Sequence, residues 1–275
     1  MTAGVTNRRN WRLDHRVHRQ GLLGAAVANN ALWCDAVCRS HGYPGVFSAR
    51  LWINVDHGLD FYPNAITLCP DVSAAEIAAV RDLSRRYAVK DSFALLDLVP
   101  DGFKLLFEAE WITRTPAPAE PGQPGLSWGT VTDAGELGRW EAAWAQGDTA
   151  GGPLFRPELL TDPRCAILAC RRDGDLVAGI IAYTAARVTG ISNLFGAGLG
   201  AGQLWASALQ AVTALRPHLP IVGYEHGIDL TAARQAGCQA LGPLRVWIRE
   251  PAHVSVPGCT RTHGVGEPTP AVSAG

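Results

Sequence analysis

The amino-acid sequence predicts an α/β fold built from two tandem domains, and three observations support this prediction. The chain has 275 residues, of which 47% are apolar, so it is long enough for a full core and for two domains. Strand-like runs alternate with helical periodicities in a similar order in both halves. A stretch rich in proline and glycine over 115–125 lies between the halves and is typical of a semi-rigid linker.

The first domain is predicted over 13–114, after a disordered tail over 1–12. Ser73 and Glu76 form a capping-box pattern, which marks the start of a helix that continues through Ile77, Val80, Leu83 and Tyr87. The other predicted elements are a helix over 20–40, strands over 47–55, 61–68, 93–99 and 110–114, and a short helix near Asp101. The order is ββαβαβ.

The second domain is predicted over 126–250, followed by a disordered tail over 251–275. Its first helix is capped by Asp133 with Glu136, and a later short helix is capped by Asp229 and stopped at Gly237. The predicted strands cover 128–132, 165–171, 176–183, 190–195, 221–225 and 244–250, and a long helix begins at about Ala201. Trp111-Ile-Thr-Arg114 and Trp247-Ile-Arg249 close the two halves in a similar way, which favours a duplicated fold.

Composition and charge exclude some classes of binding partner. The 24 Lys and Arg residues balance 25 Asp and Glu residues, giving a net charge of -1, so there is no basic field for nucleic acid. We expect no membrane-spanning run, no signal peptide and a cytoplasmic location. The seven cysteines are expected to be reduced thiols, because their number is odd and they are scattered.

The strongest chemical signal is a glycine-rich junction between a predicted strand and a predicted helix. Gly196, Gly198, Gly200 and Gly202 alternate along this junction. Glycines at such a place let backbone N–H groups approach a phosphate at the positive end of the helix dipole. The junction therefore predicts a site for a phosphate-bearing ligand.

The second half resembles the GCN5-related N-acetyltransferase (GNAT) superfamily over roughly 126–250. The resemblance depends on the strand Ile191-Ser-Asn-Leu-Phe195, the loop Gly198-Leu-Gly-Ala-Gly-Gln-Leu204 and the short helix Ala232-Ala-Arg-Gln-Ala-Gly237. Phe195 stands where the family loop has Arg or Gln. Cys238 stands where an aromatic residue usually follows the helix, and the short helix lacks the tyrosine that often serves as general acid.

The resemblance implies two tandem GNAT-like domains, each with a mixed, mostly antiparallel sheet flanked by helices. It implies an acyl-CoA-dependent N-acyltransferase that uses acetyl-CoA or another acyl-CoA and acts on a small amine. The implied cofactor-binding residues are Asn193, Leu194, Phe195, Gly196, Gly198, Leu199, Gly200, Ala201 and Gly202. The first half is interpreted as a degenerate copy, since Pro70 lacks an N–H and Asp71 would repel a pyrophosphate.

Most candidates for proton transfer lie at the end of the strand that comes after the loop helix. Glu225 and His226 are the candidate bases, and Tyr224 or Tyr183 is the candidate acid. The adjacent amides Asn29 and Asn30, with Trp33, are candidates to line a substrate cleft, because amides in an apolar helix are costly to bury unpaired. A solvated face of the helix explains them equally well. The sequence contains no nucleophile motif such as Gly-x-Ser-x-Gly.

Three alternatives stay open at this point. The run 196–201 also fits a dinucleotide fingerprint, with Glu225 near the place of a ribose-binding acid. Cys34, Cys38 and His41, with His15 and His18 upstream, share helical spacing, but we predict no metal because the spacing matches no closed zinc pattern. A non-catalytic binding or scaffold protein with the same fold is the third.

Overall fold

The structure is a computed structural model. It describes residues 6–54, 59–81, 84–116, 122–147 and 152–251, with side chains from Arg19 onward. Residues 252–275 of the predicted tail and the middle of the predicted linker therefore lie outside the described residues.

The described residues form five α-helices and eleven strands, with short 3₁₀ turns at Val99–Asp101 and Pro157–Thr161. The helices are α1 (Thr6–Ser40), α2 (Ala74–Val80), α3 (Ala134–Trp144), α4 (Ala201–Leu215) and α5 (Gly227–Gln235). The strands of the first half are β1 (Val46–Phe47), β2 (Leu51–Ile53), β3 (Ala65–Thr67), β4 (Tyr87–Asp91) and β5 (Lys104–Arg114). Those of the second half are β6 (Ser127–Thr130), β7 (Cys165–Arg172), β8 (Asp175–Ala185), β9 (Val188–Gly196), β10 (Ile221–Glu225) and β11 (Gln239–Arg249).

All eleven strands belong to one sheet, in the order β1-β2-β3-β4-β11-β5-β10-β9-β8-β7-β6. Among the described residues, β3 with β4 and β9 with β10 are the parallel pairs, and the other neighbours are antiparallel. The mixed, mostly antiparallel α/β fold is therefore confirmed.

The centre of this sheet has a symmetric arrangement that the sequence pattern does not indicate. The closing strand of the first half, β5, pairs with β10 and β11 of the second half, and β11 in turn pairs with β4. Read outward from the β5–β11 pair, each side continues with one antiparallel pairing and then one parallel pairing. The two halves thus exchange their closing strands and share one continuous sheet.

Helices cover both faces of the sheet. Buried residues of α1 and α3 share one core cluster with Trp52 and Tyr183, whereas buried residues of α4 and α5 pack in another cluster on the opposite face. In β4, Val89 packs with Ile77 of α2 while its neighbour Lys90 reaches α1, so α2 lies on the face opposite α1. The sheet is therefore the middle of three layers.

The first half differs from the sequence prediction between 80 and 100. The capping box of Ser73 and Glu76 is confirmed, but α2 ends at Val80, and Tyr87 belongs to β4 rather than to the helix. The predicted strand over 93–99 is wrong. The carboxylate of Asp91 accepts the backbone N–H groups of Phe93 and Leu96, which turns the chain directly after β4.

The second half follows the prediction more closely, with two differences at helix ends. Asp133 caps α3 as predicted, but Glu136 pairs with Arg171 instead of completing a capping box. The short helix α5 begins at Gly227 after His226, so Asp229 is not its cap; Asp229 lies in the first turn and accepts the Trp205 indole N–H at 3.3 Å.

The first helix also exceeds the prediction. α1 begins at Thr6 rather than near 20, so it extends into the segment 1–12 for which a disordered tail was predicted. Contrary to the sequence expectation, its part Arg19–Ser40 is long and apolar enough to cross a membrane by length and composition. However, 61% of the most apolar window is buried inside the structure, as in the core helix of a folded domain.

Candidate functional site

The predicted glycine loop connects the end of β9 to the start of α4, and it leaves open space in front of its backbone. Gly198 has φ +68, a left-handed conformation that favours glycine. A Cβ added at Gly198, Gly200 or Gly202 would meet nothing within 4 Å. Gly196 differs, because a Cβ there would lie 2.9 Å from the Leu204 side chain, so its role is close packing of strand and helix.

The N-terminus of α4 has the features of an anion site. Gly200 is the N-cap, no side chain caps the helix, and the first turn contains no acidic residue. The first N–H groups of a helix have no partner within it and lie at the positive end of its dipole. A phosphate in front of 198–202 would meet these groups directly.

The neighbouring strands β9 and β10 separate next to this loop. Their parallel pairing is limited to Thr189 with Ile221 and Gly190 with Val222. Beyond these pairs β9 carries a bulge opposite 179–181, where Asn193 has φ +55. The two strands therefore diverge toward their carboxyl ends, and the glycine loop and the start of α5 lie at the same edge of the resulting cleft.

The predicted cofactor-binding residues before the loop take different places. Leu194 packs with residues of α4, and the side chain of Phe195 packs on Trp140 of α3 with ring centroids 5.0 Å apart. Phe195 thus faces away from the loop and fills a core position where the family pattern has a polar residue. Asn193 is buried at the bulge, and its Oδ1 has no hydrogen-bond partner among the described residues.

The candidates for proton transfer do not form one cluster. Tyr224 points to the face of the sheet that α1 covers, and its ring packs there against Trp111 of β5 with centroids 5.3 Å apart. Burial holds the pKa of Tyr224 well above the ordinary value. Glu225 is buried on the next position of β10, and successive side chains of a strand point to opposite faces. His226 precedes α5 and stacks on Phe107 at 5.3 Å.

A narrow cavity lies beneath α1 at the point where β9 and β10 separate. It has room for about one water molecule. Its walls include Asn29, Asn30 and Trp33 of α1, which are buried rather than on a solvated face, together with Tyr183 of β8. The strand side of the cavity is formed by residues of β9, β10 and β5: Gly190, Ile191, Ser192, Val222, Gly223 and Trp111. Ala26 of α1 completes the wall on the helix side.

Asn29 fixes α1 above this cavity. Its Nδ2 donates to the carbonyl oxygens of Tyr183 at 2.9 Å and Ala185 at 3.2 Å, and Val188 O lies at 3.4 Å. A Cβ at Gly190 would lie 1.8 Å from Asn29 Oδ1. The glycine and the amide therefore allow the helix and the strand to approach closely.

The cysteines of α1 face the core. Burial raises the pKa of Cys38 to about 12 and also raises that of Cys34, and His41 Nε2 lies 2.8 Å from the carbonyl oxygen of Leu154. Within the ranges that the structure describes, no group of three or more His, Cys, Asp or Glu side chains is placed to hold a metal ion. The side chains of His15 and His18 lie outside those ranges.

The strand directions in the sheet contradict the alternative of a dinucleotide-binding fold. A dinucleotide-binding fold needs parallel strands joined by helices on both sides of the loop strand. Here β9 is parallel to β10 but antiparallel to β8, and β10 pairs antiparallel with β5 on its other side.

Known proteins resemble this chain in structure but not in sequence. No protein-family profile matches the sequence, and no curated protein matches it. A GCN5-related N-acetyltransferase from Kribbella flavida superposes with a TM-score of 0.60 at 17% identity, covering 84% of this chain and 97% of that one. A conserved protein of unknown function from Staphylococcus epidermidis has a TM-score of 0.55 at 11% identity, covering 75% of this chain and 93% of that one.

A protein of the GNAT family from Novosphingobium aromaticivorans has a TM-score of 0.50 at 16% identity, covering 82% of this chain and 98% of that one. At these identities the similarity concerns the fold. The chain has the GCN5-related N-acetyltransferase fold, as the sequence resemblance implied.

Sequence reasoning missed one residue beside the cavity. Lys90 is buried in β4 and bonds to Asn30, but the sequence prediction placed no strand between 88 and 92. A single lysine in an apolar run, Tyr87-Ala-Val-Lys90, was the signal available.

Proposed function

We propose that the chain is an acyl-CoA-dependent N-acyltransferase that acts on a small amine, with acetyl-CoA or another acyl-CoA as cosubstrate. The observation that carries this proposal is the open glycine loop at the uncapped start of α4, beside the cleft between β9 and β10. The loop offers backbone donors to an anion, and the cleft lies next to it.

The glycine loop and the neighbouring cleft fit the two ends of a CoA-type ligand. Backbone N–H groups of 198–202 would hold the pyrophosphate, where a side chain at Gly198 or Gly200 would occupy the ligand's space. The cleft between the diverging strands would take the pantetheine arm. Bound CoA supplies the activated acyl thioester, and the chain supplies position and proton transfer.

In the proposed reaction the amine nitrogen attacks the thioester carbonyl carbon, and the carbon–sulfur bond breaks to release the CoA thiolate. The ammonium form of the amine must first lose a proton. Glu225 is the proposed acceptor, because it is a buried carboxylate at the carboxyl end of β10. Tyr224 or Tyr183 is the proposed acid, and His226 is the alternative base.

We propose that the first half binds no CoA itself and forms a structural wall of the site in the second half. Its corresponding helix, α2, already has a carboxylate at its N-terminus, since Glu76 Oε2 accepts the Ser73 backbone N–H at 2.9 Å. Arg50, followed by Ser73, lowers the pKa of Glu76 to about 2. This occupied helix end contrasts with the uncapped start of α4.

Gly200→Glu should abolish CoA binding while the protein stays folded. The new carboxylate would enter the space in front of the loop, where it would clash with the pyrophosphate and repel it. Gly138→Glu is the matched control, because Gly138 is an exposed position of α3 and a Cβ there also meets nothing within 4 Å. Calorimetry with CoA and acetyl-CoA measures the affinities, and circular dichroism measures the fold.

The loop assignment is wrong if native protein and Gly200→Glu bind CoA equally well. If the native protein binds no CoA at millimolar concentration, the acyltransferase proposal fails. NAD serves as the negative control ligand in the same titrations.

Glu225→Gln should lower turnover of an acylated amine by about 10²–10⁴-fold, the usual contribution of a positioned general base, with CoA affinity unchanged. Glu110→Gln is the matched control, since Glu110 lies opposite Glu225 in the strand register but pairs with Arg234. Steady-state kinetics on both variants measures the effect. Unchanged turnover in Glu225→Gln would exclude Glu225 as the base and favour His226.

A non-catalytic CoA-binding protein is the second candidate. It is favoured by the narrow cavity, which has room for about one water molecule, and by Phe195 facing the core instead of the loop. Such a protein would bind CoA and lose that binding in Gly200→Glu, yet acylate none of the amines tested.

A further inference from the structure

Lys90 is a buried amine whose partners are all neutral. It is 2% exposed, and its Nζ lies 2.8 Å from Asn30 Oδ1 and 2.9 Å from the Tyr224 hydroxyl. The same Nζ lies 4.3 Å from the centroid of the Tyr224 ring. In the part of the chain that the structure describes, no carboxylate pairs with Lys90. Burial of a charge without a counter-charge is costly.

This environment disfavours the charged form of the lysine. Burial lowers the pKa of Lys90, whereas a nearby anion would favour the ammonium form. An anionic ligand close to Asn30 would therefore supply the counter-charge that the described residues do not provide.

Two residues that line the cavity beside Asn30 carry buried donors without an acceptor. Trp33 Nε1 and the Tyr183 hydroxyl are buried, and neither has a hydrogen-bond partner among the described residues. Both residues belong to the cavity wall, with ring centroids 5.5 Å apart. The indole N–H can only donate, so the group that would satisfy it must be an acceptor.

We propose that the acyl acceptor is an amino carboxylic acid, an amino acid for example, whose carboxylate binds in this cavity. Trp33 and Tyr183 would donate to a carboxylate oxygen, and Lys90 would supply the counter-charge behind Asn30. With the Tyr183 hydroxyl bound to the carboxylate, Tyr224 is left as the proposed acid. One oxygen of the carboxylate would take the place of the single water molecule for which the cavity has room. This inference rests on the proposed N-acyltransferase function, for which it names the class of acceptor.

The same arrangement places the amine next to the chemistry. Gly190 and Ser192 of β9 and Gly223 of β10 form the strand side of the cavity, at the point where the two strands separate. An amine joined to the carboxylate through one or two carbon atoms would reach this separation, where the thioester is proposed to lie.

The test compares each acid with the amine that lacks only its carboxylate, on the full-length protein saturated with CoA. Suitable pairs are glycine with methylamine, phenylalanine with 2-phenylethylamine and tryptophan with tryptamine. Calorimetry measures binding, and mass spectrometry with acetyl-CoA measures acylation. We expect at least one acid to bind at least about 10-fold more tightly than its decarboxylated partner, the range of a charge-assisted hydrogen bond.

Lys90→Met removes the counter-charge with little change in shape and should reduce that ratio to near one. The chain has a single other lysine, Lys104, which is exposed on β5. Lys104→Met is therefore the matched control and should keep the native ratio. CoA binding should be unchanged in both variants, which also shows that they are folded.

The outcomes separate this inference from the proposed function. If the decarboxylated amines bind as well as the acids, or if no acid in the panel binds, the acceptor class is wrong even where CoA binding and acylation are intact. A native ratio in Lys90→Met would also overturn it. If CoA does not bind the native protein, the proposed function itself fails, and the acids can still be titrated alone to test the cavity.

Discussion

Trp140→Ala is expected to reduce the free energy of unfolding by about 3–5 kcal/mol, the usual range for a buried tryptophan. Trp140 is 1% exposed, and its Nε1 donates to the carbonyl oxygen of Leu168 at 2.9 Å. Its ring packs edge-on against Phe155 at 5.6 Å and Phe195 at 5.0 Å. Removal of the ring leaves a cavity and removes the hydrogen bond to Leu168, and urea denaturation measures the loss.

Two variants of α3 serve as controls for this result. Trp144→Ala removes a tryptophan that is only partly buried one turn later, so we expect a smaller loss. Trp140→Phe keeps most of the ring but removes the N–H donor, which should cost about 1 kcal/mol. Equal losses in Trp140→Ala and Trp144→Ala would contradict the assignment of Trp140 as the centre of this packing.

Trp140 also explains why part of the candidate site could not be predicted. In the sequence, Phe195 stands at a ligand-contacting place of the family pattern. In the structure its ring completes the packing around Trp140. A residue's face on a strand depends on the phase of the pleat, and the bulge at Asn193 shifts that phase. No local pattern reports such a shift.

The local features of the second half were predictable because they depend on near neighbours. The bounds of β10 and the start of α4 agree with the sequence prediction, since apolar periodicity and glycine placement mark them. The glycine loop follows from the same local rules. For Asn29 and Asn30 the sequence left a cleft and a solvated helix face equally open, and their burial beside the cavity excludes the solvated face.

The exchanged strands could not be predicted in the same way. The pairing of β5 with β10 and β11 joins residues that are far apart in the sequence, such as Thr113 with Val222. Both β5 and β11 have the composition of ordinary buried strands, so composition does not select their neighbours. The position of Lys90 next to Tyr224 depends on this exchange, because β11 and β5 lie between their strands.

Gly190→Ala is expected to destabilise the protein by about 2–3 kcal/mol, at the upper end of the range for overpacking. The new Cβ would lie 1.8 Å from Asn29 Oδ1 and 2.8 Å from its Cγ. Asn29 is itself fixed by its bonds to the carbonyl oxygens of β8, so it cannot move without losing them. Gly129→Ala on β6 is the matched control, because a Cβ there meets nothing within 4 Å, and we expect little change.

The double variant Asn29→Ala with Gly190→Ala decides whether these two residues account for the close approach of α1 to β9. Asn29→Ala alone should cost about 1–3 kcal/mol, because carbonyl groups of the β8–β9 connection lose their donor. It also removes the atoms that the new Cβ would strike, so the second substitution should then cost less than 1 kcal/mol. Such non-additivity is expected for residues in direct contact. Additive losses in urea denaturation would mean that α1 contacts β9 through other residues, and that the cavity beneath α1 does not depend on this pair.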